Sequence, residues 1–387
     1  MMACKGEADI EAMIQTEPAK ATVDSVKEVM ASVNENELPG WSITVNKVNE
    51  TENLVAVRFV DLNNGWVASN EGALYKTEDG GISWTKVDLA VADGATVSGI
   101  FFTNPSIGWV SVNKVAGSYP YYKDNQSWVL KTEDGGKSWS TQYSTKSALI
   151  SRLYFLNEQE GWATGMRSVP WGKKILDRHL LVLHTKNQGK NWEDVSKPLN
   201  KIAAAEDGIV QGWALDSYLE GSDKMSLFSA SESGKIYKTD NGGKDWIQTE
   251  TLPKDKNLRV TPLRFGYSKD GALWVTGGKS GYKGGEIGMV AKRGTDNTWI
   301  RYITHNIDFN DAIYLSDGVV VACGWTYSQG YNRAKHGVIL VSHDGGINWT
   351  IAYRNTQIES INTLTAVGEK RIWAVGNNGI TVSLSRF

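Results

Sequence analysis

Residues 76–84 read KTEDGGISW, and residues 131–139 repeat this nonapeptide almost unchanged as KTEDGGKSW, 55 residues further along. Looser copies follow as HTKNQGKNW at 184–192, KTDNGGKDW at 238–246 and VSHDGGINW at 341–349. A period of about fifty residues indicates that one structural unit is used several times along the chain.

A second marker, Gly-Trp or a variant of it at the start of an apolar run, also recurs along the chain. It occurs at seven tryptophans: Trp66, Trp109, Trp162, Trp213, Trp274, Trp325 and Trp373. A tryptophan closes each of the five nonapeptides, at Trp84, Trp139, Trp192, Trp246 and Trp349, and Trp299 continues the series as a sixth without the glycine pair. Trp41 near the start of the chain supplies a seventh closing tryptophan. Both markers therefore count seven units.

The unit has the size and patterning of four β-strands, because it lacks the 3.6-residue period of a helical repeat. A composition of 40 Gly, 16 Trp and 15 Tyr with 8 Pro is typical of short strands and tight turns. We predict an all-β fold, a seven-bladed β-propeller of four-stranded blades. The segment that starts at Trp41 is predicted to close the ring as the outer strand of the last blade, which removes an exposed sheet edge.

The propeller is predicted to occupy residues 39–387, and residues 1–38 are predicted to form a mostly flexible tether. Val23, Val26 and Val29 have helix-like spacing, which favours a short helix in the tether. Ala3-Cys4 resembles the end of a lipoprotein signal, but no apolar stretch precedes it. Two interpretations stay open, a trimmed signal with a lipid anchor on Cys4, and a chance match.

The pattern Ser/Thr-x-Asp-x-Gly-x-x-Trp of the nonapeptides resembles the Asp-box, or BNR repeat, of the sialidase-like propellers. Combined with Phe-x-Asp/Asn-x-x-x-Gly-Trp at 59–66, 102–109 and 155–162, it resembles the photosystem II stability/assembly factor family over nearly all of residues 40–387. The resemblance implies a single propeller that chaperones or scaffolds membrane complexes, with exported relatives. We interpret the acidic and amide side chains of the boxes as groups that stabilise their own turns and have no catalytic function.

Charge and motifs argue against several functional classes. A formal net charge of −2 gives no general attraction to nucleic acid. The five histidines show no metal-ligand spacing, and no phosphate-binding glycine loop precedes a helix, so we expect neither a metal nor a cofactor. No run of eighteen apolar residues is present.

One candidate binding surface is formed by the loops between the second and third strands, which lie on the face opposite the boxes. Five of them are predicted to be enlarged: Lys114–Ser127, Met166–Arg178, Leu215–Ser229, Gly278–Gly288 and Thr326–Gly337. Aromatic and arginine side chains are common anchors of recognition surfaces. The candidates in these loops are Tyr121, Tyr122, Arg167, Trp171, Tyr282, Tyr327, Tyr331 and Arg333. The alternative is a set of variable solvated loops.

A second candidate is the central channel. Arg58, Arg152 and Arg264 are predicted to lie on the same face of three inner strands, since a strand has a period of two. If this face lines the channel, three guanidinium groups would bind a carboxylate, a phosphate or an acidic peptide. The alternative is separate pairing with nearby acids such as Asp61, Glu158 or Asp270.

We therefore predict a non-catalytic, extracytoplasmic binding or assembly factor that is monomeric and binds a protein partner, with no catalytic residue assigned. The alternative is a glycan-binding protein or a sialidase-like glycoside hydrolase. The arginine-isoleucine-proline signature of sialidases is absent from the sequence, and the Asp-box glucanases use two propellers where this chain has one.

Overall fold

The computed structural model is a seven-bladed propeller, as the repeats predict. It describes residues 26–35, 38–91, 94–116, 124–171, 175–207, 214–229, 235–251, 261–267, 272–279, 287–294, 298–315, 318–327 and 334–387. Each blade contains four strands in up-and-down order, and two blades carry an additional strand at the outer edge.

The strands before blade one are β1 (Val26–Met30), β2 (Ser32–Asn34) and β3 (Trp41–Lys47). Blades one to three contain β4 (Leu54–Phe59), β5 (Gly65–Ser69), β6 (Leu74–Thr77), β7 (Thr85–Val87), β8 (Thr96–Phe102), β9 (Gly108–Lys114), β10 (Gln126–Thr132), β11 (Ser140–Lys146), β12 (Ala148–Phe155), β13 (Gly161–Trp171), β14 (Ile175–Thr185) and β15 (Glu193–Asp194). Helix α1 (Ser196–Asp207) follows β15.

Blades four to six contain β16 (Ala214–Gly221), β17 (Lys224–Ser229), β18 (Lys235–Thr239), β19 (Ile247–Thr251), β20 (Thr261–Tyr267), β21 (Leu273–Lys279), β22 (Ile287–Arg293), β23 (Trp299–His305), β24 (Ile307–Tyr314), β25 (Val320–Tyr327), β26 (Lys335–Ser342) and β27 (Asn348–Asn355). Blade seven contains β28 (Ile361–Val367), β29 (Arg371–Gly376) and β30 (Ile380–Arg386). Its outer strand is β3, which pairs antiparallel with β30 from Trp41 opposite Arg386. The predicted closure of the ring is confirmed.

Aromatic stacking joins several neighbouring blades. The tryptophan that opens the second strand of one blade stacks on a phenylalanine of the next blade, with ring centroids 3.5 Å apart for Trp66 and Phe102 and 3.7 Å apart for Trp109 and Phe155. These tryptophans are fully buried. These two Gly-Trp markers are thus packing elements between blades, where burial of a large aromatic side chain contributes to stability.

The Asp-boxes form local turns. Asp79 Oδ1 accepts hydrogen bonds from Thr77 Oγ1 at 2.7 Å and from the backbone nitrogen of Ser83 at 2.9 Å. The two box glycines have φ values of 76° and 92°, which favour glycine. Gly80 N donates to Asn63 O, and an equivalent backbone bond occurs in the other boxes. Each box therefore lies beside the turn between the first two strands of a blade. We call this end of the propeller the box face and the opposite end the loop face.

The inner strand of every blade contains a β-bulge. The pairing register with the second strand shifts just before Ala56, Gly99, Arg152, Asp216, Arg264, Asp311 and Thr363. A bulge changes the direction of the side chains that follow it. Two of the three candidate arginines thus occupy the same structural position in different blades.

The N-terminal segment differs from the expected helical tether where the structure describes it. β1 pairs in parallel with β23, and β2 pairs in parallel with β27. The outer strands of blades five and six otherwise leave their backbone groups unpaired, so the extended segment gains hydrogen bonds that helix formation would not replace. Cys4 lies outside the described residues.

Blades three and four differ from the repeat pattern. Met166–Arg178, expected as a loop, continues the β13–β14 hairpin as far as Trp171 opposite Ile175. Leu215–Ser229 is also not a loop, because it contains the first two strands of blade four. Trp213 therefore precedes an inner strand rather than a second strand, and it lies outside the described residues.

Helix α1 was not predicted from the sequence. The Asn200 side chain accepts a hydrogen bond from Leu180 N at 3.0 Å and donates one to Leu180 O at 2.8 Å. Leu199 is buried against β14 and blade four. The helix thus covers the edge of β14 where β15 has only two residues. Among the described residues, no helix has the length and apolar character needed to cross a membrane.

Candidate functional site

The inner strands surround a central cavity of about 910 Å³. Arg58, Arg152 and Arg264 all line it. Arg152 and Arg264 follow the bulges of β12 and β20, whereas Arg58 lies two residues beyond the bulge of β4. Because β4 runs toward the box face and a strand rises about 3.3 Å per residue, Arg58 lies about 7 Å closer to that face.

Arg58 has no anionic partner within the part of the chain that the structure describes. Its guanidinium lies 4.3 Å from the centroid of the Phe101 ring, on the neighbouring blade, and its Nε is buried without a hydrogen bond. Burial lowers the pKa of the Arg58 guanidinium, because water no longer solvates the charge fully. A half-buried cation stacked on an aromatic ring and lacking an acceptor is suited to binding an anion.

Arg264 differs, because it is held by a carboxylate. Its Nε donates to Asp311 Oδ1 at 2.6 Å and its Nη2 donates to Asp311 Oδ2 at 2.9 Å. Asp311 also accepts from Thr363 Oγ1 at 2.6 Å and from the backbone nitrogen of Leu364 at 3.2 Å. This aspartate joins blades five, six and seven, and we call the Arg264–Asp311–Thr363 arrangement the clasp.

The electrostatics of the clasp extend to Arg152. Burial alone would raise the pKa of Asp311, but the charge and hydrogen bonds of Arg264, the charge of Arg152 and the hydrogen bond from Thr363 lower it below its usual value. Among the described side chains, the wall of the channel contains three arginines and one aspartate.

The expected alternative acid partners have other roles. The Asp61 carboxylate accepts hydrogen bonds from the backbone nitrogens of Asn63 and Asn64 in its own turn. Glu158 accepts from Asn104 Nδ2 at 2.8 Å. Asp270 lies outside the described residues. Arg264 does pair with an acid, but the acid is Asp311, which was not among the expected partners. An acidic residue within the apolar run of an inner strand was the signal that could have identified it.

The loop face is described only in part. Tyr121, Tyr122, Tyr282, Tyr331 and Arg333 lie outside the described residues, and Trp171 is placed at the end of β13 by its backbone.

Arg167 lies in β13 and donates from Nη2 to Asp194 Oδ2 at 2.6 Å, within its own blade. Tyr327 packs edge-on against Trp325, with centroids 5.0 Å apart, and Lys335 Nζ lies 4.2 Å from the centroid of the Trp325 ring. These loop-face candidates therefore do not converge with the channel arginines in the described structure.

Comparison with known proteins gives relatives of one kind. No family model matches the chain. A photosystem II assembly lipoprotein Ycf48 from Synechococcus is 24% identical over 335 residues, which is 84% of this chain and 83% of the relative. The chloroplastic photosystem II stability/assembly factor HCF136 from Arabidopsis thaliana is 20% identical over 364 residues, covering 89% of this chain and 79% of the relative.

Solved structures agree with the fold. A YCF48 structure bound to a D1 peptide superimposes with a TM-score of 0.61 at 18% identity, covering 92% of this chain and all of the other. A GH74 enzyme from Niastella koreensis gives a TM-score of 0.58 at 14% identity, covering 87% of this chain but only 52% of the enzyme. The seven-bladed architecture is common to assembly factors and hydrolases, whereas the sequence relatives are assembly factors. This chain is therefore similar to photosystem II assembly factors in sequence and has the propeller fold of a YCF48 structure, as its repeats predict.

Proposed function

We propose that this chain is a non-catalytic assembly factor that binds an acidic segment of a protein partner in its central channel. The observation that carries the proposal is Arg58, which is stacked on Phe101 and has no carboxylate among the described residues. Leaving a buried charge unpaired costs free energy, which a bound carboxylate would recover. A similar fold bound to a D1 peptide supports a peptide as the class of ligand.

The clasp determines which end of the channel binds. Arg264 is already bonded to Asp311, so an incoming anion gains little there. Arg58 and Arg152 lie on blades one and three on the remaining part of the wall. We therefore place a carboxylate of the partner against Arg58, beside Phe101 of blade two.

The proposed location is extracytoplasmic, with a lipid anchor on Cys4. The support is the short lipoprotein-like motif at Cys4 and the name of the relative, an assembly lipoprotein. Mass spectrometry of the N-terminal peptide from the membrane-bound native protein tests it. A diacylglycerol adduct on Cys4 is expected, and an unmodified Cys4 in that peptide would remove the anchor from the proposal.

The binding proposal is tested by co-purification from native membranes with the tagged full chain. We expect the unaltered protein to retain a subunit of a membrane complex and the Arg58→Gln variant to lose it. Arg354→Gln is the matched control, because Arg354 pairs with Glu35 at the outer rim and not in the channel. An excess of octaglutamate should release the partner from the unaltered protein.

Retention of the same subunit by the Arg58→Gln variant would overturn the channel site and move the search to the loop face. Failure of every form to retain a protein subunit would contradict the assembly-factor function itself. Release by a soluble oligosaccharide instead of octaglutamate would favour the glycan-binding alternative.

A further inference from the structure

Three departures from the repeat converge at the joint between blades three and four. The residue before the Gly-Trp marker is Asn64 in blade one and Ile107 in blade two, but Glu160 in blade three. The first nonapeptide residue is lysine in blades one, two and four, but His184 in blade three. The third departure is Asp223, in the first turn of blade four, which has a φ of +58° that is uncommon for a residue with a side chain.

Glu160 and His184 are almost fully buried, with exposures of 6% and 5%. The His184 ring stacks on Trp162 at 3.8 Å, where blades one and two stack the equivalent tryptophan on a phenylalanine of the next blade. His184 Nε2 lies 3.1 Å from Glu160 Oε1. The backbone nitrogen of Asp223 donates to the same Oε1 at 2.8 Å, so blade four directly contacts this pair.

The spacing of these groups fits the coordination of a metal. One ligand atom from each of Glu160, His184 and Asp223 lies within 4.8 Å of the other two. Nitrogen and oxygen ligands bound at about 2.0–2.1 Å to one ion are about 3 Å apart on neighbouring coordination positions. The observed 3.1 Å between Glu160 and His184 therefore suits a shared ion as well as a hydrogen bond.

A cationic group already contacts this cluster. Lys186 Nζ lies 2.7 Å from the carboxylate of Asp223. The lysine side chain is 58% exposed, so its ammonium group can move into water at little cost when a bound ion takes its place. A divalent ion would replace this single charge with two, opposite the carboxylates of Glu160 and Asp223.

We propose that Glu160, His184 and Asp223 bind a first-row divalent transition metal that joins blades three and four. An imidazole with two carboxylates favours Zn²⁺ and its neighbours over Mg²⁺ or Ca²⁺, which prefer oxygen ligands alone. Ser222 Oγ donates to Glu160 Oε2 at 2.8 Å and would orient this ligand.

Gly242 provides the space that the site requires. A Cβ atom at this position would lie 2.6 Å from Asp223 Oδ1 and 3.3 Å from His184 Nδ1. Coordination through His184 Nε2 places the imidazole proton on Nδ1, on the side of the ring that faces this glycine.

The test uses the full chain after treatment with a chelator, titrated with Zn²⁺ by calorimetry and with Co²⁺ by visible absorption. We expect one equivalent bound with a dissociation constant of about 10 μM or lower and a visible Co²⁺ band. His184→Lys restores the lysine that blades one and two carry over their tryptophans, so it should fold. It should bind at least about tenfold more weakly, because even the loss of a group that orients a ligand typically costs this much.

His343→Gln is the control, since His343 lies in the blade six box with its ring 6.3 Å from that of Trp41. It should bind the metal as the unaltered chain does. Circular dichroism establishes that each variant is folded, and Asp223→Asn replaces His184→Lys if that variant is not. Absence of stoichiometric binding, or equal affinity in the ligand variant, would overturn the metal site and leave a hydrogen-bonded joint.

Discussion

Arg264 and Arg58 line the same channel but are held in different ways. Arg264 donates two hydrogen bonds to Asp311, which blade seven also supports through Thr363. Arg58 stacks on Phe101, and the described residues offer its guanidinium no acceptor. The first arrangement connects three blades, whereas the second leaves a positive charge that the fold itself does not neutralise.

The difference shows that an arginine on the channel wall is not by itself a binding residue. A buried arginine with its carboxylate is a structural unit, and removal of one partner leaves the other charge uncompensated. A buried arginine without a carboxylate lowers stability and is available to a ligand. Three substitutions test this contrast and a fourth tests a box turn, ordered from the largest expected effect to the smallest.

Asp311→Ala should have the largest effect. It removes the acceptor of Arg264 and two contacts from blade seven, so we expect a loss of about 3–5 kcal/mol in the free energy of unfolding. Chemical denaturation measures it. The double variant Arg264→Met, Asp311→Leu should recover much of the loss, since it removes both charges. A loss below about 1 kcal/mol for Asp311→Ala would show that the clasp is not structural.

Arg58→Met should leave the free energy of unfolding within about 0.5 kcal/mol of the unaltered value or raise it, because no ion pair is broken. Binding of octaglutamate, measured by fluorescence anisotropy, should weaken at least about tenfold. Chemical denaturation of Arg264→Met provides the contrast, because this variant should show a clear loss in the free energy of unfolding. A stability loss for Arg58→Met equal to that for Arg264→Met would contradict the distinction between the two arginines.

Phe101→Leu should test the aromatic support of Arg58. A cation over a partly buried ring contributes about 0.5–1 kcal/mol. A double-mutant cycle of Phe101→Leu with Arg58→Met, in which thermal denaturation measures the stability of each variant, should give a coupling energy in this range. A coupling energy of zero would mean that the stacked geometry contributes nothing to stability.

Asp79→Asn should have the smallest effect at neutral pH, since the boxes at Asn187 and Asn241 already contain the amide. Hydrogen bonds from Ser83 hold the pKa of Asp79 at about 2, below its usual 3.8. A depressed pKa contributes stability above pH 3.8 that is lost as the pH falls toward 2. The variant should therefore lose less stability than the unaltered chain between pH 4 and pH 2. Identical acid denaturation curves would contradict this assignment.

The repeats predicted the number of blades and the closing strand because both follow from local chemistry. A box turn is formed by residues within one nonapeptide, and the marker tryptophans of blades one, two and seven stack on a phenylalanine of the next blade. The prediction was wrong where a blade departs from the repeat. Trp213 has the marker sequence, but it precedes the first strand of its blade and not the second. Helix α1 replaces most of the outer strand of blade three.

The candidate site was predicted only in part. The period of two was sufficient to place Arg58, Arg152 and Arg264 on the channel wall. The pairing of Arg264 with Asp311 could not be predicted, because the residues lie 47 positions apart on different blades. Glu160, His184 and Asp223 likewise have no characteristic spacing along the chain.

By itself, the sequence determined the all-β class, the seven blades and the turn in each box, because these depend on residues close together along the chain. Only the tertiary structure decided which arginine is neutralised, which edges β1 and β2 cover, and which three polar residues meet between blades three and four. The physical reason is that ring closure brings together residues from separate repeats, and charge pairing depends on distance in space rather than along the chain.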